Sequence, residues 1–169
     1  RRIAVAGHSR MGKAALLASE LDPRFFAVLA NEPGCMGGAL TRGKTGETLE
    51  DICDSFPYFF APRLRDYVGR EAELPFDQHF LLALNAPRKL YVASAAQDFW
   101  ADPISEFLGC AAASCAWEQL GAPGLLGADR LPRPGTVLSG GMIGYHLREG
   151  EHYLSRYEWQ RFLDFLEEA

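Results

Sequence analysis

The amino-acid sequence predicts an α/β protein built on a mostly parallel sheet. Short apolar runs bounded by Gly, Pro and Asp alternate along the chain with longer runs in which apolar residues recur at helical spacing. Strands that alternate with helices form crossover units on a parallel sheet. The composition, 48% hydrophobic and 23% charged over 169 residues, is that of an ordinary globular protein with one core.

The elements follow from these runs in chain order. We predict strands over residues 3–6, 26–30, 89–95 and 142–147. We predict helices over residues 11–21, 104–120 and 154–168, with shorter helices at 49–53 and 77–84. Two segments have neither pattern. The stretch 33–76 is rich in Gly, Pro and aromatic residues and is too long for a simple connection, so we expect a functional excursion there, and 121–141 has the composition of a surface loop.

Ligands of open parallel sheets bind beyond the carboxyl ends of the strands. The first such end, GHSRMGK, contains two incomplete motifs. The spacing of Gly7, Gly12 and Lys13 is that of a phosphate-binding loop, but Ala14 stands where the Ser or Thr that holds the magnesium ion is required. No acidic strand end of the type that holds magnesium is evident either. These two observations disfavour a nucleotide site.

The second motif is a nucleophile elbow, in which a serine lies on a tight turn between a strand and a helix. Gly7 precedes Ser9 by two residues, and the predicted strand, turn and helix are in the required order. Met11, however, occupies the position of the second glycine, and the glycine follows one place late. A bare G-x-S is common, so the motif needs support from elsewhere in the chain.

Other strand ends supply that support. Glu32, Asp98 and His152 follow the second, third and fourth predicted strands, in the chain order serine, acid, histidine of α/β-hydrolases. A serine hydroxyl needs an imidazole to accept its proton, and the imidazole needs a carboxylate to fix its tautomer. Two carboxylates near one imidazole could share that role.

The four histidines differ in their predicted positions. His8 adjoins the serine, where packing under the elbow is its more ordinary role, and His79 lies on a predicted helix. His146 lies inside the last strand. His152 is favoured as the base because a loop flanked by Gly150 can present its ring to the serine.

Several separated segments together resemble the glucuronoyl esterases, carbohydrate esterase family 15. They extend over residues 3–159 and read GHSRMGKAAL, NEPGCMGGALTR with GET, FPYFF, LPFDQH, APRKLYVASAAQDFWADP and IGYHLREGEH. The resemblance implies an α/β-hydrolase, which is a three-layer sandwich around a mostly parallel sheet. It also implies an enzyme that cleaves esters between glucuronic acid on xylan and lignin alcohols. It also explains the late Gly12, since the nucleophile motif of that family is G-C-S-R-x-G.

The resemblance implies a role for each matching residue. By this resemblance, Ser9 is the nucleophile, Arg10 supports the oxyanion and His152 is the base. Lys13, Glu47 and Trp100 match residues that contact the sugar. Glu32 matches the acid of fungal members, and Asp98 matches the acid of many bacterial members.

Without the resemblance, Glu47 would be a cap of the following helix and Lys13 a solvated helix residue. Trp117 and Trp159 are expected in the core.

The chain also departs from the family pattern. His8 stands where fungal members have Cys, so the disulfide that the Cys would form is absent, and Pro33 replaces a residue that is often Ser. The earlier strands of the hydrolase fold do not occur in these residues. We therefore expect residues 1–169 to be part of a catalytic domain.

Charge and composition limit the partners. A net charge of −5 disfavours nucleic acid and anionic membranes, and no apolar run approaches the length of a membrane span. The four cysteines fit no metal-ligand spacing and are expected to be buried thiols. The resemblance implies no cofactor or metal, a polysaccharide substrate of the glucuronoxylan–lignin type, a monomer, and a secreted or periplasmic location.

Two alternatives to this function stay open at the level of sequence. One is another esterase of the same fold, acting on acetyl-xylan or an antibiotic. The other is an inactive carbohydrate-binding remnant.

Overall fold

The computed structural model describes residues 2–167 and contains one five-stranded sheet. Its spatial order is β1-β2-β3-β5-β4, and only the edge strand β4 is antiparallel. The predicted α/β class and mostly parallel sheet are therefore confirmed. The strands are β1 (Ile3–His8), β2 (Phe25–Asn31), β3 (Lys89–Ala95), β4 (Thr136–Leu138) and β5 (Ile143–Arg148).

All five predicted helices are present, with ends that differ from the predicted ones by at most two residues where the structure describes them. They are α1 (Arg10–Leu21), α2 (Leu49–Ser55), α3 (Gln78–Ala83), α4 (Pro103–Gln119) and α5 (Arg156–Glu167). Residue 168, the predicted end of the last helix, lies outside the described residues. The long segment 33–76 also contains two 3₁₀ helices, Pro62–Tyr67 and Glu71–Glu73, which the sequence pattern did not indicate. None of the described helices is long and apolar enough to cross a membrane.

The prediction of segment 121–141 as a surface loop was wrong in part. It contains β4, which pairs with β5, and it buries Leu125 in the main core. A three-residue strand is too short to produce a recognisable alternation of apolar and polar residues.

Helices cover both faces of the sheet. On one face, α1, α3 and α4 pack against inward-facing residues such as Val28 and Val92. On the other face, α5 packs Phe162 and Phe165 against Tyr91. Successive strand residues point to opposite faces, so β2 and β3 contribute alternate side chains to the two cores. The three-layer arrangement predicted from the resemblance is confirmed.

The two tryptophans expected in the core differ. Trp117 is fully buried, but Trp159 is 45% exposed, so the second prediction was wrong. Buried residues of α5 recur at Glu158, Phe162 and Phe165, which is the stripe that a helix presents to a sheet. Trp159 is one residue beyond that stripe and is turned about 100° away from it.

The cysteines are all free thiols. Cys35, Cys53 and Cys110 are buried as predicted, whereas Cys115 is exposed on α4. Within the described residues, no disulfide constrains the chain.

The carboxyl ends of the parallel strands are closely aligned. His8 pairs with Asn31 across β1 and β2, and Ala95 pairs with Arg148 across β3 and β5. The segments that follow these strands therefore begin at the same edge of the sheet, which brings residues far apart in sequence into one site.

Candidate active site

Ser9 lies in a strained turn between β1 and α1. Its backbone has φ 57° and ψ −124°, a conformation that residues other than glycine rarely adopt. Its N–H donates to the Asn31 carbonyl at 2.8 Å, and its own carbonyl accepts from the N–H of Gly12 at 2.8 Å. These bonds hold a strand–turn–helix geometry that matches the elbow described for hydrolase nucleophiles.

The two glycines of the motif permit this turn to different degrees. A Cβ on Gly7 would lie 2.0 Å from the Met11 carbonyl oxygen, a distance that the backbone cannot accommodate. A Cβ on Gly12 would lie 3.3 Å from the Asn31 carbonyl oxygen, which requires only a small shift. The close approach of β1 and α1 therefore requires glycine at position 7 more strictly than at position 12.

We expect Gly7→Ala to lower the free energy of unfolding by about 1–3 kcal/mol or more, because backbone must move to admit the methyl group. Gly12→Ala is the matched control and should cost less. Denaturant titration of both variants, in the protein at its full natural length, measures the difference. Equal losses would contradict the assigned difference between the two glycines.

His152 and Asp98 are in direct contact. The Nδ1 atom of His152 lies 2.6 Å from Oδ2 of Asp98. Asp98 is buried, and its other carboxylate oxygen accepts from the N–H of Ala101 at 3.2 Å. A buried carboxylate on Nδ1 keeps the proton on that nitrogen and leaves Nε2 free to accept another.

Glu32 is a second carboxylate near the same ring. Its Oε2 lies 3.3 Å from Nδ1 of His152, and its Oε1 accepts from Nη2 of Arg148 at 2.6 Å. Burial raises the pKa of Glu32 to about 9, against the opposing effect of the Arg148 charge. Glu32 is thus both farther from the imidazole than Asp98 and harder to ionise than an exposed glutamate.

Arg148 is a further charged residue of this site, and the sequence pattern assigned it no role. Besides Glu32, it binds Glu158 through Nε and donates from Nη2 to the carbonyls of Glu151 and Tyr153 at 2.9 and 2.7 Å. It therefore fixes the chain on both sides of His152. Arg148 ends β5 and falls in a strand-end position, but its partner Glu32 is 116 residues away, and no local pattern indicates the pair.

His8 lies against the ring of His152, with 4.5 Å between ring centroids. Its Nδ1 contacts the side-chain amide of Asn31 at 2.8 Å, and Asn31 also donates to the Tyr153 carbonyl at 3.1 Å. Burial and the nearby His152 lower the pKa of His8. These contacts agree with the supporting position expected for His8.

The remaining histidines do not line this site. His146 is buried within β5, where its Nδ1 lies 3.0 Å from the Tyr91 hydroxyl and burial lowers its pKa to about 4. His79 lies on α3, beside Phe80.

A cavity of about 180 Å³ opens beside the elbow. Six of the eight site residues predicted from the sequence line this cavity. The other two, the acids Glu32 and Asp98, lie behind His152. The six are Ser9, Arg10, Lys13, Glu47, Trp100 and His152, and the wall is completed by Gly34, Ile52, Phe56, Phe59 and Ala101.

Lys13 and Glu47 put opposite charges on this wall. The ammonium group of Lys13 donates to the Pro33 carbonyl at 2.6 Å. Burial lowers the pKa of Lys13, an effect that the nearby Glu47 opposes. Burial raises the pKa of Glu47, and Lys13 opposes that shift in turn. Each charge therefore supports ionisation of the other in a poorly solvated place.

The segment that carries Glu47 is attached to the segment that carries Trp100. The N–H of Glu47 donates to the Trp100 carbonyl at 2.8 Å, and the N–H of Thr45 donates to Asp102 at 2.8 Å. Glu47 does not cap the following helix. That cap is Thr48, whose hydroxyl accepts from the N–H of Asp51 at 3.1 Å.

Arg10 is the first residue of α1, and its side chain is exposed at the cavity mouth. Within residues 2–167, no side chain forms an ion pair with its guanidinium. The first N–H groups of a helix have no partner inside the helix, so the backbone of Arg10 offers a donor directly beside Ser9.

The chain is similar to known esterases. A protein-family model described as "Glucuronyl esterase, fungi" matches residues 1–121. The carbohydrate esterase MZ0003 of an unknown prokaryotic organism is 42% identical over 165 residues, a match that covers 98% of this chain and 38% of that protein. The 4-O-methyl-glucuronoyl methylesterase of Podospora anserina is 36% identical over 128 residues, covering 72% of this chain and 27% of that enzyme.

A solved structure gives the same result. The glucuronoyl esterase from Solibacter usitatus superposes with a TM-score of 0.91 at 43% identity, covering 98% of this chain and 42% of that chain. This likeness confirms the predicted α/β-hydrolase fold. The chain spans between 27% and 42% of the length of these three relatives.

Proposed function

This chain belongs to the glucuronoyl esterase family, carbohydrate esterase family 15, and we propose that it carries the catalytic residues of a serine esterase. The proposed substrate is the ester between glucuronic acid of glucuronoxylan and a lignin alcohol. The observation that most supports this is the contact of His152 with Asp98 at 2.6 Å, beside a serine held in an elbow on the same cavity.

In the first half of the reaction, Nε2 of His152 takes the proton of the Ser9 hydroxyl as its oxygen attacks the uronoyl carbonyl carbon. The negative charge that develops on the carbonyl oxygen is stabilised by the backbone N–H and the guanidinium of Arg10. Asp98 stabilises the imidazolium. The tetrahedral intermediate then expels the alcohol, which takes the proton from His152 and leaves the uronoyl group on Ser9.

In the second half, the same groups act on water. His152 takes a proton from a water molecule that attacks the acyl carbonyl, and the oxyanion donors act again. Collapse of the intermediate breaks the bond to Ser9, which regains its proton from His152. Glucuronic acid is released.

Lys13, Glu47 and Trp100 select the sugar. The ammonium group of Lys13 has three donors. Among residues 2–167 only the Pro33 carbonyl, at 2.6 Å, accepts from it, so the other donors can bind hydroxyls. Glu47 supplies acceptors on the same wall, and Trp100, which is exposed, supplies a ring face. The Trp100 side chain also hydrogen-bonds the Glu47 carboxylate, so its indole N–H becomes a donor for the sugar when it leaves that carboxylate.

We expect Lys13→Met to lower kcat/KM by about 10- to 100-fold, chiefly through KM, because charge-assisted hydrogen bonds to the sugar are lost in ground and transition states alike. Lys89→Met is the matched control. Lys89 lies on β3 outside the cavity and should leave KM unchanged. Steady-state kinetics on a glucuronate ester measure both, and an unaltered KM in Lys13→Met would exclude Lys13 from sugar binding.

A substrate panel tests the proposed activity. The full natural protein should hydrolyse methyl and benzyl glucuronate faster than the matching galacturonates, and should act poorly on acetylated xylan. Preference for acetylated xylan would favour another carbohydrate esterase of this fold. Failure of a serine-directed phosphonate to label Ser9 in the folded protein would favour an inactive remnant.

The proposed substrate is a plant cell-wall polymer, so we propose a secreted or periplasmic place of action. We also expect the protein to be a monomer.

A further inference from the structure

Three side chains of metal-ligating type converge behind the nucleophile. One ligand atom from each of His8, Glu32 and His152 lies within 4.8 Å of the others. Oε2 of Glu32 is 3.3 Å from Nδ1 of His152 and 3.7 Å from Nδ1 of His8. The proposed esterase reaction requires His152 but has no use for His8.

The free oxygen of Glu32 is the unexplained atom of this cluster. Glu32 is only 1% exposed, and within residues 2–167 its Oε2 has no hydrogen-bond partner. Oε1 is held by Arg148 at 2.6 Å, which fixes the orientation of the carboxylate and directs Oε2 between the two rings. A buried carboxylate oxygen without a donor is costly, and a cation would satisfy it.

The spacing is that of a tetrahedral site. With zinc–nitrogen and zinc–oxygen bonds of about 2.0–2.2 Å, neighbouring ligands of a tetrahedral zinc ion lie about 3.3–3.6 Å apart. Of the two distances from Oε2, 3.3 Å is within that range and 3.7 Å is slightly above it, so a small rotation of the His8 ring would complete the geometry. Two imidazoles and one carboxylate form a ligand set that zinc accepts, and water or the adjacent Asp98 can complete it.

We propose that His8, Glu32 and His152 form a binding site for a divalent zinc-type cation, and that occupation of this site reversibly inhibits the enzyme. The inhibition rests on the proposed esterase function, whereas the binding does not. The cation would act as an inhibitor and not as a cofactor, because it engages the base that the reaction needs.

The inhibition follows from the tautomer of His152. As a base, the neutral ring carries its proton on Nδ1, next to Asp98, and accepts from Ser9 at Nε2. A cation on Nδ1 displaces that proton, so the neutral ring must carry its proton on Nε2. A ring in that tautomer has no lone pair for the hydroxyl of Ser9.

The site is accessible at modest cost. The side chains of His8 and His152 are 28% and 41% exposed, so a cation can reach them from solvent. Binding to Nδ1 of His8 displaces the amide of Asn31, which retains its bond to the Tyr153 carbonyl at 3.1 Å.

The test measures binding and turnover separately. ZnCl₂ is titrated by calorimetry into the tag-free protein of full natural length, and CoCl₂ is added to record the visible absorption typical of tetrahedral cobalt. The variants are His8→Asn, whose amide is a poor zinc ligand, and His79→Asn as the matched control on α3. A third variant, His152→Asn, removes the other imidazole. Thermal melting establishes that each variant is folded.

We expect the wild type and His79→Asn to bind one equivalent, and His8→Asn and His152→Asn to bind at least about tenfold more weakly. Zinc should also inhibit ester hydrolysis by the wild type, with recovery on addition of EDTA, and inhibit His8→Asn at least about tenfold less. Absence of binding to the wild type, or equal affinity in folded His8→Asn, would overturn the proposal. If no variant hydrolyses any ester, the esterase proposal fails while the binding data still decide this one.

Discussion

Replacing Ser9 by alanine is expected to lower kcat on benzyl glucuronate by about 10⁴- to 10⁶-fold, the loss seen when the nucleophile of a serine hydrolase is removed. Alanine has no atom to form the acyl-enzyme. The backbone of residue 9 already has φ 57°, and alanine suffers the same strain there as serine, so the fold should be unaffected. Stopped-flow or prolonged steady-state assays on the full natural protein measure the loss.

Binding separates this chemical loss from a structural one. The cavity wall that would hold the sugar, including Lys13, Glu47 and Trp100, is untouched by the substitution, so calorimetry should give nearly the wild-type affinity for glucuronic acid. Ser55→Ala, at an exposed serine that ends α2, should retain full turnover. Turnover by Ser9→Ala within tenfold of the wild-type rate would remove Ser9 from the mechanism.

Most elements of the fold could be predicted, because the spacing of apolar residues within a strand or helix is a local property of the sequence. The four parallel strands and five helices are defined by apolar runs that the chain itself delimits, and their observed ends differ from the predicted ones by at most two residues where the structure describes them. β4 and the two 3₁₀ helices were not predicted, because they are too short or too irregular to show a repeating pattern of apolar residues. The exposure of Trp159 depends on which stripe of α5 meets the sheet, which a composition-based expectation ignores.

The part of the candidate site that lies at strand ends could be predicted, because the carboxyl ends of parallel strands lie at the same edge of the sheet. Ser9, Glu32, Asp98 and His152 all follow parallel strands, and aligned registers bring such residues together. The role of Arg148 could not be predicted, because its contacts with Glu32 and with the chain around His152 exist only after the sheet has formed. Sequence also could not rank the two acids, since both occupy strand ends and differ only in distance and burial.

Asp98→Asn is expected to reduce kcat/KM by about 10²- to 10⁴-fold, the second-largest effect at this site. Asp98 lies 2.6 Å from Nδ1 of His152, and an asparagine there would present an amide that favours the wrong tautomer of the ring. Steady-state kinetics across a range of pH measure the loss, because a mispositioned base alters the pH profile as well as the rate.

Glu32→Gln is the matched comparison and should cost no more than about tenfold. The Glu32 carboxylate lies 3.3 Å from the same nitrogen, and burial raises its pKa to about 9, so it is the weaker support for an imidazolium. Glutamine retains an oxygen that can accept from Arg148, which keeps the loop around His152 in place. A greater loss in Glu32→Gln than in Asp98→Asn would assign the orienting role to Glu32.

The double variant decides whether the two acids share the role. If Asp98 alone orients His152, adding Glu32→Gln to Asp98→Asn should multiply the loss by no more than the small factor measured for Glu32→Gln alone. If the carboxylates substitute for one another, each single variant should lose little and the double variant should lose far more than the product of the two. The difference of 0.7 Å between the two contacts with Nδ1, 2.6 Å for Asp98 and 3.3 Å for Glu32, favours the first outcome, because a hydrogen bond weakens steeply beyond its normal length.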